Sequence, residues 1–368
     1  MTKVAQVTRF YSLDEIMKFI ENGGEYPLHH VWCYDQIIKS GIHTSGIEYN
    51  RNSVLNKLGE KLKFVNLQQE INLINRSKEF DIIYSPMVAD VFLLAMLKVL
   101  GLYKKPIVAM AFDTTVPYKK NFFKKLLQKF RRYITLNGID SLIYHFETLY
   151  QESSKYAPLD NNVSFCSTWG ADLDFFESFI QKQTEPPTLD FIYTTGGTER
   201  DYPTLIEAFK DINFNLKITT RRSKDESIVN NIPNVVIDNS IKPGLYSVGL
   251  IRKEYYNCLA VAIPLSVNQN IAPYGSTVVM EAIAMGKPVI STRNNMYPFS
   301  LEKEKIGFEV DYADVEGWKQ CVNYMIDHPD EVKEMGERAK FLCKTKYNYE
   351  AFSKEVVEKI KKLAPAQK

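Results

Sequence analysis

Little in this chain suits a membrane span, a metal knot or a nucleic-acid surface. No apolar run reaches the roughly eighteen residues that a spanning helix needs, and the Met1–Arg9 start lacks the apolar core of a secretory leader. The sequence therefore predicts a chain that stays in the cytosol without crossing a bilayer. Cysteine is scarce: Cys33, Cys166, Cys258, Cys321 and Cys343 are odd in number, scattered and free of Cys-x-x-Cys spacing. Neither a disulfide framework nor a zinc site is expected. A formal net charge of only +2 argues against a general nucleic-acid binder. Repeats and low-complexity tracts are lacking, so no fibrous or disordered class fits. What remains is 368 residues, 45% hydrophobic and 24% charged, enough for two globular cores of ordinary size.

Along the chain, strand and helix patterns alternate, the sequence form of a doubly wound α/β sheet. Strands are expected at 4–10, 80–85, 106–112 and 141–145, with helices at 13–22, from about 28 through Trp32, and at 89–100. Two prolines in the polar stretch 181–188 cannot continue a helix and mark a linker. The expected domains are therefore 1–180 and 181–345, followed by a terminal segment, 346–368. Beyond the linker, strands are expected at 189–194, 216–220, 235–238, 259–264 and 288–292. Helices are expected there at 202–209, 277–285, 315–326 and 329–345.

Residues 271–292 carry the clearest chemistry. Gly275 lets the main chain approach a ligand, and Ser276 and Thr277 suit the cap and first turn of a helix whose open amides and positive dipole end favour an anion. Glu281 lies four residues after Thr277, so both side chains share one face. A carboxylate there can accept two hydroxyl protons, as a ribose offers. The plainer reading of the bare pattern is a capped helix with Glu281 toward water.

This stretch resembles the donor-site segment of the retaining GT-B glycosyltransferases of family 4, the glycosyl transferases group 1, in which a Glu on the helix after a Gly-containing loop holds the ribose of a sugar nucleotide. In that family a first Glu sits eight positions earlier, ahead of Pro-aromatic-Gly. Here Pro273-Tyr274-Gly275 is present, but Ala272 precedes it and the spacing is longer by one. The resemblance implies two Rossmann-like domains facing across a cleft, with a final helix returning to the N-terminal domain.

The resemblance also assigns loops. Gly23 and Gly24 would face the donor, although a plain turn is the other reading of paired glycines. Gly197 and Arg200, in Thr194-Thr-Gly-Gly-Thr-Glu-Arg-Asp201, resemble the loop that pins the donor pyrophosphate, a task suited to a fixed guanidinium fork. The Lys that often follows in the family is missing, and Arg221 and Arg222 are either its replacement or surface charges. Asp113, at a strand end, either orients an acceptor hydroxyl or caps a turn. His145 either lines the cleft or is a structural histidine. Asp172-Leu-Asp174 looks like the Gly-x-Asp-x-x-x-Phe segment before the linker, so its expected job is structural and no obligatory metal is expected.

Residues 119–132 hold seven basic residues and no acidic one. Phe122, Phe123, Leu126, Leu127 and Phe130 recur at helical spacing, flanked by Lys119, Lys120, Lys124, Lys125, Arg131 and Arg132. The expectation is that packing on the sheet accounts for the Phe and Leu side chains, while the excess of positive charge suits an anionic membrane surface or acceptor.

The resemblance as a whole implies a retaining transfer of a hexosyl unit from a UDP- or GDP-sugar to a saccharide or lipid-linked acceptor, as in cell-surface polysaccharide or glycolipid synthesis. No further cofactor is implied. A sugar-nucleotide epimerase of the same architecture, or a catalytically silent binding module, are the alternatives.

Overall fold

The computed structural model describes residues 1–9, 12–50, 52–62, 64–112, 122–220, 232–239, 247–266 and 272–365. The chain divides into two compact units. An N-terminal unit comprises Met1–Gly24, Leu28–Trp169 and Glu350–Lys368, and a C-terminal unit comprises Glu25–Pro27 and Gly170–Tyr349.

Among the described residues, the N-terminal unit holds six parallel strands: β1 (Lys3–Val7), β2 (His43–Ile47), β3 (Ile82–Ser85), β4 (Ile107–Ala111), β5 (Ser141–Tyr144) and β6 (Ser164–Cys166). Their spatial order is β2-β1-β3-β4-β5-β6, so the winding reverses between β1 and β3. The strands β3, β4 and β5 are buried on both faces, as helices covering a parallel sheet require.

The C-terminal unit repeats the plan with β7 (Phe191–Thr195), β8 (Asn215–Thr219), β9 (Val235–Asp238), β10 (Ala260–Ile263), β11 (Val289–Thr292) and β12 (Gly307–Val310), in the order β12-β11-β10-β7-β8-β9. Its winding reverses between β7 and β10. Trp318, Phe209, Leu205 and Met325 fill the core beside the sheet, each worth about 1.5–3 kcal/mol of burial. Helix starts follow the short polar side chains: Asp201 accepts from the Thr204 amide at 3.3 Å, and Asp314 from the Gly317 amide at 2.9 Å. Asp172 likewise caps the Leu173–Gln181 helix, accepting from the Phe175 amide at 3.2 Å.

Several boundaries differ from expectation. The first strand ends at Val7 rather than Phe10, and Phe10 lies outside the described residues. The helix expected from residue 28 is a single 3-10 turn, Leu28–Val31, because Trp32 and Cys33 take left-handed backbone angles (φ +53° and +71°) before a separate helix, Tyr34–Lys39. The 89–100 helix is divided into a 3-10 turn, Val88–Val91, and the helix Phe92–Val99. Leu189 (φ +55°) stays outside β7.

The basic segment brings the largest correction. Its helix runs Phe122–Gly138, and only Ile134, Thr135 and Gly138 in its last turns are buried. They pack where Gly138 lies against the Ala95 backbone, too close for a Cβ. Phe122, Phe123, Leu126, Leu127 and Phe130 remain between 48% and 77% exposed, so packing does not account for them. A 17-residue helix spans about 25 Å, twice the roughly 12 Å of the eight-residue neighbour it lies on, and its first half runs past that support.

Candidate functional site

In open parallel sheets, ligands bind beyond the carboxyl ends of strands where the winding reverses. In the C-terminal unit that point lies between β7 and β10, and the loops after those two strands are joined. Arg200 forms a bridge with Leu265, the Asp201 amide donates to the Pro264 carbonyl at 3.1 Å, and the Ser266 amide donates to the Glu199 carbonyl at 3.0 Å.

The turn after β7 is built around Arg200. Gly196 takes φ +111°, and a Cβ there would stand 2.7 Å from the guanidinium Nη2, so glycine is what lets the side chain fold back. The Arg200 Nε donates to the Thr195 carbonyl at 3.1 Å and its Nη1 to the Thr198 carbonyl at 3.0 Å. The buried guanidinium is thereby fixed before any ligand arrives. Gly197 has open space where a side chain would stand.

Arg200 and Gly275 meet in space. Gly275 is the left-handed N-cap (φ +85°) of the Ser276–Ala284 helix, and a Cβ on it would lie 3.6 Å from the Arg200 Nη1, 2.7 Å from the Ile263 side chain and 2.8 Å from the Tyr297 hydroxyl. A positive side chain and the positive end of a helix therefore converge at the winding reversal. Two like partial charges brought together suit one thing above all, a polyanion between them. Ser276 is buried and Thr277 half-buried in the first turn, and Glu281 is buried one turn further on. The Tyr255 hydroxyl donates to the Glu281 Oε2 at 2.9 Å, which directs the carboxylate. Burial beside that carboxylate drives the Tyr255 hydroxyl well above its usual pKa, so it remains a donor.

Sequence reasoning missed the residues that hold the Pro-Tyr-Gly loop. The Asn294 amide donates to the Ala272 carbonyl at 3.1 Å, and the Tyr297 hydroxyl donates to the Tyr274 carbonyl at 2.9 Å while lying 3.2 Å from the Ser291 hydroxyl. The polar run after β11, Arg293-Asn-Asn295, was the available signal. Ala272 is buried and presents its carbonyl to Asn294, in the loop where the resembled family carries a Glu.

Other expected site residues belong to the N-terminal unit or to the Phe122–Gly138 helix, or lie outside the described residues. In the N-terminal unit, Gly23 and Gly24 end the Leu13–Glu21 helix: the Gly23 amide donates to the Ile20 carbonyl and the Gly24 amide to the Phe19 carbonyl, both at 2.9 Å, a Schellman stop. A Cβ on Gly24 would meet the Phe19 ring at 2.5 Å. Both glycines thus have a local reason independent of any ligand. His145 follows β5, is buried, and donates from Nδ1 to the Ala111 carbonyl at 3.2 Å. Burial pushes its pKa down to about 3, leaving a neutral imidazole. Lys124 and Lys125 are exposed; Arg131 and Arg132 are half-buried, with the Arg131 guanidinium 4.3 Å over the Phe92 ring. Asp113, Lys119, Lys120, Arg221 and Arg222 lie outside the described residues.

Comparison with known proteins gives a family match and a shared fold. Residues 177–341, which contain the whole Arg200–Glu281 constellation, match the family model described as glycosyl transferases group 1. No curated protein sequence matches the chain at a significant level. Among solved structures, sucrose-phosphate synthase from Thermosynechococcus elongatus superposes with a TM-score of 0.72 at 13% identity, covering 99% of both chains. HepE of Anabaena in complex with UDP-glucose gives 0.66 at 12% identity, covering 98% of this chain and 100% of its own. WaaG, a glycosyltransferase involved in lipopolysaccharide biosynthesis, gives 0.60 at 12% identity, covering 97% and 99%.

Proposed function

With residues 177–341 belonging to the glycosyl transferases group 1 and the GT-B fold running through the chain, we propose that this glycosyltransferase moves a hexosyl unit, with retention, from a nucleotide diphosphate sugar to a saccharide or lipid-linked acceptor. The observation that carries this reading is the convergence of Arg200 with the Gly275-capped helix start, one turn from Glu281.

In this scheme the donor's diphosphate lies against the Arg200 guanidinium and the first-turn amides at Ser276 and Thr277. The ribose hydroxyls donate to the Glu281 carboxylate, which Tyr255 orients. As the bond from the sugar's anomeric carbon to the diphosphate oxygen breaks, the acceptor oxygen bonds to that carbon from the same face. The acceptor's proton passes to the departing diphosphate. Charge grows on that leaving group, where the fixed cation and helix dipole stabilise it more in the transition state than in the ground state. No side-chain nucleophile is needed.

The exposed apolar face and the lysines of the Phe122–Gly138 helix suit an anionic membrane surface. UDP- and GDP-sugars are the expected donors, as in cell-surface polysaccharide or glycolipid synthesis. The test is incubation with a panel of sugar nucleotides, alone and with saccharide or lipid-linked acceptors, measuring nucleoside diphosphate and sugar product together. Acceptor-dependent release from one donor, lost in Glu281→Ala and Arg200→Ala, supports the transferase. A sugar nucleotide altered without release would mean an epimerase, and binding without turnover would mean a silent module.

A further inference from the structure

Tyr255, whose hydroxyl donates to Glu281, stands on the Ser247–Asn257 helix, and a buried arginine stands on the same face one turn earlier. Arg252 is only 5% exposed. Its guanidinium carbon lies 4.3 Å from the ring centroids of both Phe175 and Phe179. Its Nη1 donates to the Phe175 carbonyl at 3.3 Å and its Nη2 to one oxygen of the Glu25 carboxylate. Both rings belong to the Leu173–Gln181 helix, and Lys182, the residue that ends that helix, donates to the other Glu25 oxygen at 2.6 Å.

Glu25 stands 227 residues before Arg252, yet it belongs with Tyr26 and Pro27 to the C-terminal unit. Hydrogen bonds from Lys182 and from Arg252 hold its carboxyl below the ordinary range, so it is charged at neutral pH.

Stability alone does not account for this clasp. A buried ion pair is often no better for folding than apolar side chains of the same volume. The Arg252 Nε, moreover, is buried with no hydrogen-bond partner among the described residues, which costs stability. What a guanidinium adds is direction. An apolar side chain at 252 would tolerate sliding or rotation of the helix, whereas a planar fork held by two rings, a carbonyl and a carboxylate tolerates little.

The far end of the same helix is tied as well. The buried Lys287 ammonium donates to the Cys258 carbonyl at 2.9 Å, just past Asn257, where a positive charge suits the negative end of a helix. Lys287 itself follows the Ser276–Ala284 helix that carries Glu281, and the Leu173–Gln181 helix packs against that same helix. The Tyr255-bearing helix is therefore fixed at both ends to the neighbours of Glu281.

We propose that Arg252 is a positioning residue for donor binding: clasped by Phe175, Phe179 and Glu25, it fixes the Ser247–Asn257 helix so that the Tyr255 hydroxyl holds the Glu281 carboxylate toward the ribose. The inference rests on the reading of Glu281 as the ribose contact. It extends the machinery of that contact to Arg252 and Glu25, neither of which touches the donor.

Comparing ligands separates positioning from folding. UDP and GDP, each beside its 2′,3′-dideoxy form, are titrated by calorimetry into the full-length parent, Arg252→Met, Glu25→Ala, Tyr255→Phe and the double variant Arg252→Met/Tyr255→Phe, with a melting curve for each. The parent is expected to bind the ribonucleotide tighter than the dideoxy form. Arg252→Met and Glu25→Ala should each weaken the ribonucleotide about fivefold, the scale of one hydrogen bond, and leave the dideoxy form unchanged. In the Tyr255→Phe background, Arg252→Met should add no further loss, because the two act through one contact. Glu25 is 43% exposed, so Glu25→Ala carries the test if Arg252→Met does not fold. The positioning role is overturned if the folded variants bind the ribonucleotide as the parent does. It is overturned equally by a loss shared by both ligand forms, or by one that adds to that of Tyr255→Phe. A parent that binds ribo and dideoxy forms alike, or neither nucleotide at all, instead strikes the donor reading itself and the proposal with it, so the two failures are told apart.

Discussion

Replacing Gly275 by alanine tests the close approach on which the proposed donor site depends. The residue sits at φ +85°, and its new Cβ would lie 2.7 Å from Ile263 and 2.8 Å from the Tyr297 hydroxyl. Left-handed backbone costs an L-residue about 1–2 kcal/mol. The two contacts force a further shift of the helix start or of Tyr297, whose hydroxyl holds the Tyr274 carbonyl. A total of about 2–3 kcal/mol lowers the unfolding midpoint of a unit this size by roughly 4–12 °C. The helix start also moves relative to Arg200, and a misplacement approaching 1 Å can cost on the order of a hundredfold. Calorimetric titration with UDP and GDP should therefore show at least about a tenfold loss of affinity. Gly286→Ala is the control: φ is +73°, yet the nearest atom to its Cβ is 3.5 Å away, so strain is added without a clash. It should destabilise by about 1–2 kcal/mol and leave nucleotide affinity alone. Equal nucleotide affinity in Gly275→Ala and the parent would refute the reasoning.

Other outcomes follow from the same geometry. Tyr255→Phe removes the hydroxyl that donates to Glu281. It should cost about 1 kcal/mol of stability and raise the donor KM several-fold with little change in kcat, measured by nucleoside diphosphate release. His145 is depressed to a pKa of about 3, so the unfolded chain binds the extra proton between pH 3 and its ordinary value of 6.5. Its contribution is then full above pH 6.5 and is lost as pH falls toward 3, with a slope of at most about 1.4 kcal/mol per pH unit. Asp90, raised to about 6 by burial, works in the opposite sense between pH 4 and 6, so the pH profile of parent minus His145→Gln, from denaturant unfolding, isolates the histidine. Replacing Phe122, Phe123 and Leu126 together by serine should leave stability within about 0.5 kcal/mol, because all three are exposed. The same change should abolish sedimentation with phosphatidylglycerol vesicles; undiminished sedimentation would remove that helix from the membrane account.

The winding of both sheets was legible because interior strands β3, β4, β5, β7, β10 and β11 are dense in apolar residues and bounded by turn signals. The strands that escaped notice, β2, β6 and β12, all lie at sheet edges. There one side is open, and a segment such as His-Thr-Ser-Gly-Ile or the three residues of β6 needs no strong pattern. In the proposed donor site, the loop and helix positions of Gly275, Glu281 and Arg200 were readable because each has a local signature beside a strand or helix start. Tyr255, Asn294 and Tyr297 were not, since their meaning lies in contacts across 20 or more residues of sequence. The paired glycines at 23 and 24 carry a signature that two readings share, since the same two residues also form the stop of the Leu13–Glu21 helix. The Phe and Leu spacing at 122–130 correctly marked a helix but said nothing of what its face would meet.

The central claim is that Arg200 and the Gly275-capped helix start hold a diphosphate. Calorimetric titration of UDP against UMP, and GDP against GMP, on the parent and on Arg200→Gln tests it most directly. The account predicts that, for the base the enzyme uses, the diphosphate binds the parent about tenfold or more tighter than the monophosphate, and that this advantage disappears in Arg200→Gln while monophosphate affinity changes little. An undiminished diphosphate advantage in folded Arg200→Gln would contradict it.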